Sequence, residues 1–421
     1  MTPPSSPNDP FVALRYPAFR RFVAASAGAS FAGMAFSVAI GYQVYELTRS
    51  PLVLGLLGVA TALPTLSLAL IGGHYADRVD RRRILLTTRA LLVACAVVLA
   101  ALSTAGSATS VTALFALVVL IGFARGFGDP ASSAFETRIV PPNAYVNASA
   151  WMGSVGQAAG ILGPVLAGVA LAKVGAPGTY LLMAALYGVS WALLWRIPRI
   201  PPPPATESGS VRASVHEGLR FVARDQVLFG SMALDLLAVL FGGAIALLPI
   251  FATDILRVGP DGLGVLLAAP SVGALAVMLW MTRRPPMRRT GWWLILSVAG
   301  FGVAMIVFGA SRTFWLSWAA LALSGAFDGV NMLIRRAIVR TRTPDRMRGR
   351  VAAVSLVFIG TSNEIGALES GVASHFLGAA RATILGGFVT VAITLGAAWR
   401  WRELAAWELA DEYAARDTAS K

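Results

Sequence analysis

The sequence predicts an all-α integral membrane protein with twelve transmembrane helices, arranged as two parallel halves of six. Hydrophobic residues make up 56% of the 421 residues and charged residues only 13%, and the mean hydropathy is +0.69. Soluble domains carry about 25% charged residues, so these values exclude an ordinary soluble protein. Apolar segments of about 20 residues, the length that crosses a bilayer, recur along the whole chain.

Twelve apolar segments are the predicted spans. The first follows the basic residues Arg15, Arg20 and Arg21. It is too long for the apolar region of a signal peptide, so we expect an uncleaved first span. The spans are predicted at residues 19–45, 52–75, 84–104, 111–136, 146–172, 177–195, 227–252, 262–282, 291–309, 314–339, 351–374 and 381–399.

The basic residues indicate the orientation. A net charge of +14 would suggest nucleic-acid binding in a soluble protein. Here the arginines gather in alternate loops, for example at residues 78–83, 283–289 and 340–350, whereas the intervening loops hold at most one Lys or Arg each. This pattern follows the positive-inside rule. It predicts a multi-pass protein of the cell (inner) membrane with both termini in the cytoplasm, the lipid bilayer as its surroundings and no nucleic-acid partner.

The longest polar segment divides the chain near its middle. Residues 196–226 begin with prolines and end with apolar residues at helical spacing, which predicts a cytoplasmic linker with an amphipathic helix. Two faint repeats, Pro51–Gly55 with Pro260–Gly264 and residues 138–143 with 340–345, favour two parallel halves. The predicted domains are the N-terminal half 1–195, the linker 196–226, the C-terminal half 227–399 and a cytoplasmic tail 400–421.

A short charged segment between the second and third spans carries a family resemblance. It resembles the Gly-x-x-x-Asp-Arg-x-Gly-Arg-Arg signature of the major facilitator superfamily, with Asp80 in place of the second glycine, as in the branch that includes the enterobactin exporter and drug–proton antiporters. The resemblance implies a conformational latch in which Asp77 meets the start of the eleventh span, near residues 348–351. A pure topology signal is the alternative. The matching residues are Gly73, Asp77, Arg78, Arg81 and Arg82.

Two further spans resemble motifs of the same superfamily. The fifth span resembles its Gly-Pro antiporter motif, which implies export, although helix packing alone also explains the glycines. In the fourth span, Arg125 resembles a membrane arginine linked to proton coupling, and Asp129 stands where glycine is usual. Arg125 and Asp129 are four residues apart and could form a structural ion pair on one helical face. The antiporter-type residues are Gly160, Gly163, Pro164 and Gly168.

Carboxylates within apolar spans are the remaining candidates for proton coupling or substrate binding. Asp235 lies in span seven, Asp328 in span ten, and Glu364 and Glu369 in a polar stretch of span eleven. Ionisable residues at membrane depth are costly and normally face a cavity or a partner. For Glu364 the alternative is pairing with an arginine of another span, and for Glu369 a position in water near a helix end.

The sequence contains no pattern for catalysis, cofactors or metals. A phosphate-binding loop, a nucleophile elbow and metal-ligand spacing are all missing, and the single Cys95 excludes a disulfide framework. The resemblance to the major facilitator superfamily implies a monomeric, proton-coupled exporter of small amphipathic molecules of the drug or siderophore type. An importer of a nutrient or lipid on the same fold is one alternative, and a membrane enzyme or non-transporting receptor is another.

Overall fold

The computed structural model describes residues 10–76, 80–200, 211–283, 289–344 and 347–409, and helices dominate these residues. The first half holds α1 (Pro17–Thr48), α2 (Pro51–Ala76), α3 (Arg81–Ser103), α4 (Val111–Ile139) and α5 (Tyr145–Trp195). The linker contains α6 (Val211–Arg224). The second half holds α7 (Gln226–Gly242), α8 (Leu248–Ile250), α9 (Gly259–Met281), α10 (Thr290–Ala310), α11 (Phe314–Arg342), α12 (Arg348–Leu377), α13 (Ala379–Arg400) and α14 (Arg402–Ala406).

These helices make up the twelve predicted spans. Among the described residues, nine helical runs are long and apolar enough to cross a membrane. The run through α5 holds two spans, and α2 and α12 supply the remaining two. The all-α, twelve-helix prediction is therefore confirmed.

Gly175 separates the fifth and sixth spans within α5. Its φ of 67° and ψ of −176° lie outside the helical region, in a conformation that favours glycine because a Cβ would be strained there. Pro177 follows two residues later, and proline is well tolerated in the first turn of a helix. The chain therefore leaves one span and enters the next without a polar loop.

The seventh span is broken near Gly243, a feature that the sequence analysis did not predict. α7 ends at Gly242, and the chain resumes through a short turn into α8 and one π-helical turn, Phe251–Ile255. The hydroxyl of Ser370 on α12 donates a hydrogen bond of 3.1 Å to the carbonyl oxygen of Gly243. This bond satisfies a backbone acceptor at the break, where a carbonyl in an apolar environment would otherwise be costly.

The residues cluster into two compact units, each made of several chain segments. The first unit comprises Met1–Thr48, Ala60–Thr206 and Pro260–Gly264, and the second comprises Arg49–Val59, Glu207–Gly259 and Val265–Lys421. The start of α2 thus belongs to the second unit, and the start of α9 to the first. The linear domain boundaries stay a prediction.

Within the first unit, α1, α3, α4 and α5 surround an aromatic and aliphatic core. Phe22 of α1 and Phe135 of α4 are both buried, and their ring centroids are 5.5 Å apart.

A separate polar cluster in the first unit joins α1, α3 and α5. Gln43 accepts a 2.8 Å bond from the buried hydroxyl of Tyr180 and donates a 2.8 Å bond to Ser103. The buried amide is therefore satisfied by partners on α5 and α3.

Within the second unit, the linker helix α6 packs on the first turns of α12. Val222 of α6 is fully buried in one cluster with Met347, Val351 and Val354. A Cβ at Gly218 would lie 2.8 Å from the carbonyl oxygen of Arg350. α6 therefore contacts protein through one face at close range, rather than lying on a lipid surface alone.

Large apolar side chains remain exposed along the spans. Leu395 and Val189 are more than half exposed, and Trp195, Trp315 and Trp399 are exposed by 61%, 74% and 73%. Lipid is an apolar solvent for such faces, and tryptophan is enriched where a span meets the membrane surface. These surfaces fit a multi-pass membrane protein.

Candidate functional site: a charged cavity in the second unit

The second unit contains a cavity of about 770 Å³ between α7, α11 and α12. This volume lies within the range of pockets that bind small molecules. Each helix contributes residues at helical spacing, so one face of each lines the space. The lining residues are Met232, Asp235 and Val239 of α7; Asp328, Met332, Arg335, Arg336, Val339 and Arg340 of α11; and Arg348, Ala352, Ser355, Phe358, Ser362 and Asn363 of α12.

Asp235 is the most enclosed charged group of this cavity wall. Its side chain is 5% exposed and forms an ion pair with Arg335, whose side chain is 13% exposed. The amide nitrogen of Asn331 donates a hydrogen bond of 2.5 Å to the other carboxylate oxygen. Both oxygens of Asp235 therefore have a partner on α11, which compensates part of the cost of burying a charge.

Asp328 lies one helical turn from Asn331 on the cavity face of α11. Asp328, Asn331 and Arg335 are spaced by three and four residues, so α11 presents them on one face. Asp328 is accessible, whereas Asn331 is 4% exposed. The cavity thus brings together two of the predicted carboxylates, Asp235 and Asp328.

Asn331 and Arg335 are the residues of this cluster to which the sequence analysis assigned no role. The signal was present in the spacing of Asp328, Asn331 and Arg335, three polar side chains on one face of an apolar span. The partner across the cavity could not be read from the sequence, because Asp235 and Arg335 are 100 residues apart.

The two candidate glutamates of α12 are not brought to the Asp235 cluster by any described contact. Ser362 and Asn363 line the cavity, but the side chain of Glu364 lies outside the described residues. Glu369 is partly buried and is not among the described residues that line the cavity. Its neighbour Ser370 bonds the broken seventh span instead.

Arg125 and Asp129 lie in the first unit. The guanidinium carbon of Arg125 is 5.5 Å from the ring centroid of Phe36, a cation–π geometry. Arg89 of α3 lies 5.9 Å from the ring centroid of Tyr187, and both arginines interact electrostatically with Asp129. Within the described part of the chain, no N···O contact of 4 Å or less joins Arg125 to Asp129. Arg89 and Arg125 therefore share the carboxylate of Asp129, without a close ion pair between Arg125 and Asp129.

The described part of the charged segment is bound to the ends of neighbouring helices. Arg82 is buried and donates to the carbonyl oxygens of Leu194, at 3.2 Å, and Trp195, at the end of α5. Arg81 donates a 2.8 Å bond to the carbonyl oxygen of Ala134 on α4. Cations stabilise helix C-termini, so these arginines tie α3 to α4 and α5.

Asp80 has a local function. Its carboxylate accepts a 2.9 Å hydrogen bond from the backbone N–H of Arg82 and caps the N-terminus of α3. Gly73 lies in α2, and nothing is described of its surroundings. Asp77 and Arg78 lie outside the described residues, and so does the predicted contact between Asp77 and residues 348–351.

The glycines of the antiporter-type motif permit close helix packing. A Cβ at Gly163 would lie 2.7 Å from the Cβ of Met34 on α1. A Cβ at Gly168 would lie 2.5 Å from the carbonyl oxygen of Pro260, and one at Gly264 only 2.3 Å from that of Pro164. Real Cβ atoms do not approach backbone so closely. Gly160 lies on the same helix.

Metal ligation has no support in the described part of the chain. No group of three or more His, Cys, Asp or Glu side chains is clustered there in a way that could hold a metal ion. The described lining of the cavity consists of charged, amide, hydroxyl and apolar side chains.

The chain is similar to known transporters over nearly its whole length. A family model described as "Transmembrane secretion effector" matches residues 8–418. The chain is 26% identical over 362 residues to the enterobactin exporter EntS of Citrobacter koseri, covering 85% of this chain and 86% of that protein. It is 26% identical over 332 residues to EntS of Shigella boydii, with 78% and 79% covered.

Solved structures share the fold at low sequence identity. A bacterial homologue of the human lysosomal transporter Spinster, in an inward-facing and unoccupied conformation, matches with a TM-score of 0.71 and 13% identity, covering 93% of this chain and 98% of that chain. At this identity the likeness shows the fold alone.

Proposed function

Since the chain belongs to the transmembrane secretion effector family of the major facilitator superfamily, we propose that it is a secondary transporter that exports small amphipathic compounds in exchange for protons. The protein works as a monomer in the inner membrane, with both termini in the cytoplasm. The curated relatives are named as enterobactin exporters, which supports export of a siderophore or drug type of compound.

The observation that carries this proposal is the ion pair of Asp235 and Arg335 on the cavity wall. Asp235 is the nearly buried partner, and a carboxylate in such a position costs free energy unless it is paired or protonated. Protonation would neutralise Asp235 and release Arg335 from the pair. A change in proton occupancy would then alter the charge that faces the substrate cavity.

A mechanism of alternating access follows. Substrate enters the cavity while Asp235 is charged, and a proton taken up from the outside drives the return step. A membrane potential of 100 mV contributes about 2.3 kcal/mol for each elementary charge moved. Asp328 shares the cavity and is the second candidate for proton binding.

The remaining predicted residues have supporting roles in this proposal. Glu364 and Glu369 on α12 are further candidates for proton or substrate binding. Arg125 and Asp129, with Arg89, form a second charge cluster that couples α3 and α4 during transport. The close packing at Gly163, Pro164 and Gly168 supports a motif that holds α5 in a defined position.

The charged segment acts as a latch in the proposed cycle. Asp77 and Arg78 supply the switching contact, and Gly73 allows α2 to approach its neighbour. Arg81 and Arg82 hold the segment to α4 and α5 through the carbonyl contacts described above. Arg81 and Arg82 therefore fix one end of the latch segment to α4 and α5.

Everted membrane vesicles test the proposal. Acidifying the vesicle interior should drive uptake of a fluorescent amphipathic dye, and a protonophore should abolish it, relative to vesicles without the protein. Uptake that survives the protonophore would rule out proton coupling. Dye accumulation that occurs only in right-side-out vesicles would instead favour the importer.

A further inference from the structure

The cavity in the second unit carries an excess of positive charge. Among the described residues that line it, four are arginines, Arg335, Arg336, Arg340 and Arg348, and two are carboxylates, Asp235 and Asp328. The formal charge of these six side chains is +2, with both carboxylates ionised. Asp235 is already bound to Arg335 and Asn331, so it has little capacity left to attract a cation.

The arginines that line the cavity lie near the end of α11 and at the start of α12. On α11, Asp328 lies at the middle of the helix, whereas Arg335 and Arg336 lie about two turns and Arg340 about three turns nearer its C-terminal end. Arg348 is the first residue of α12, so the positive end of that helix dipole adds to the same region. The arginines are therefore concentrated near these helix ends, whereas Asp328 lies at the middle of α11.

Apolar side chains line the same cavity. Met232, Val239, Met332, Val339 and Phe358 contribute to the wall. Methionine side chains adapt to ligands of different shapes. A ligand that fits would bury an apolar or aromatic body here and keep a negative group near Arg336, whose side chain is exposed.

We propose that this cavity binds amphipathic organic anions, with Arg336 contacting the anionic group and Arg340 and Arg348 adding positive potential. The anionic group is a carboxylate, phenolate or sulfonate, because planar guanidinium groups match such oxygens. Only the export of such anions rests on the proposed function. Their binding to the cavity can be measured without transport.

Thermal unfolding of the purified protein in detergent tests this proposal, because a ligand that binds the native state raises the melting temperature. The probes are 2-naphthoate and 2-naphthalenemethanol, which share the aromatic body and differ in charge. We expect the carboxylate to raise the melting temperature in a saturable manner and the alcohol, at equal concentration, to have no such effect. Equal shifts for both probes would overturn the proposal.

Matched variants locate the site. Arg336→Gln should weaken naphthoate binding about tenfold, as expected for loss of one charge-assisted hydrogen bond, and Arg336→Lys should weaken it less. Arg402→Gln, at an exposed position on α14, is the control and should leave binding unchanged. The melting temperature of each variant without ligand shows that it is folded. A folded Arg336→Gln variant that keeps the naphthoate response would overturn the proposal.

A lipid is the other source of an anionic amphiphile. Loss of the naphthoate shift on adding dihexanoyl phosphatidylglycerol, with no loss on adding soluble 4-tert-butylbenzoate, would assign the cavity to lipid headgroups and contradict a soluble substrate. Failure of anion binding would leave proton-driven dye uptake in vesicles intact. The two hypotheses therefore fail in different measurements.

Discussion

The carboxylate of Asp235 and the guanidinium of Arg335 form a buried ion pair at the cavity wall, although they are 100 residues apart in the chain. The pair joins α7, which breaks a few residues later, to the long helix α11. The proposed coupling role requires that protonation of Asp235 break this contact between the two helices.

Replacing Asp235 by asparagine should abolish proton-driven transport. Asparagine keeps a similar shape and can still accept a hydrogen bond, but it neither binds a proton nor pairs with a charge. Dye uptake into everted vesicles under an imposed pH gradient measures the effect. Asp261→Asn, an exposed carboxylate near the start of α9, is the control and should transport normally. A fully active Asp235→Asn variant would exclude Asp235 from coupling.

The same pair predicts a coupled effect on stability. Removing one partner of a buried ion pair costs about 3–5 kcal/mol, because the other charge stays buried without compensation. Asp235→Ala and Arg335→Ala should therefore each lower the melting temperature in detergent. The double variant should be more stable than the sum of the two single effects implies. Strictly additive effects would mean that the pair does not stabilise the fold.

Arg82 and Arg83 are adjacent arginines with different surroundings. Arg82 is buried and donates to carbonyl oxygens at the end of α5, whereas the Arg83 side chain is 63% exposed. Arg82→Ala leaves these carbonyls without their donor and should cost about 1–3 kcal/mol. Arg83→Ala should stay within about 0.5 kcal/mol of the parent. Equal melting temperatures for the two variants would contradict the assigned contacts.

Gly264 should not tolerate a side chain. A Cβ there would lie 2.3 Å from the carbonyl oxygen of Pro164, whereas one at Gly156 on α5 would meet no atom within 4 Å. Gly264→Ala should therefore destabilise the protein by about 1–3 kcal/mol, and Gly156→Ala should be neutral or stabilising. Thermal unfolding of the two variants makes the comparison. Similar melting temperatures would show that α5 and α9 separate readily.

The same glycine shows what the sequence could predict. The repeat of Pro51–Gly55 and Pro260–Gly264 was visible as a pattern, but its cause was not. In the structure both glycines meet a helix at close range. A Cβ at Gly55 would lie 3.1 Å from the Cα of Gly371, and one at Gly264 would lie 3.1 Å from that of Gly168. The repeat therefore reflects two similar helix crossings. Predicting them would require knowing which helix packs against each glycine.

Helix number and type followed from hydropathy because lipid requires long apolar helices. The helix breaks at Gly175 and Gly243 differ in how far the sequence could predict them. Gly175 lies between two separately predicted spans, whereas Gly243 lies within a continuous apolar run and depends on Ser370 of another helix.

The individual carboxylates of the site could be predicted, since a charged residue within a span is unusual. The ion pair of Asp235 with Arg335 could not be predicted, because hydrophobicity carries no information on which helices are neighbours.

The contact of α6 with α12 should depend on packing more than on charge. Glu217 and Arg350 form a 2.6 Å ion pair, but their side chains are 55% and 37% exposed, and exposed pairs contribute about 0–1 kcal/mol. Gly218 instead faces the carbonyl oxygen of Arg350 with no room for a Cβ. Glu217→Gln should leave proteolysis of the linker unchanged, whereas Gly218→Val should separate α6 from α12 and accelerate cleavage near Arg220. Faster cleavage in Glu217→Gln than in Gly218→Val would mean that the ion pair holds the linker helix.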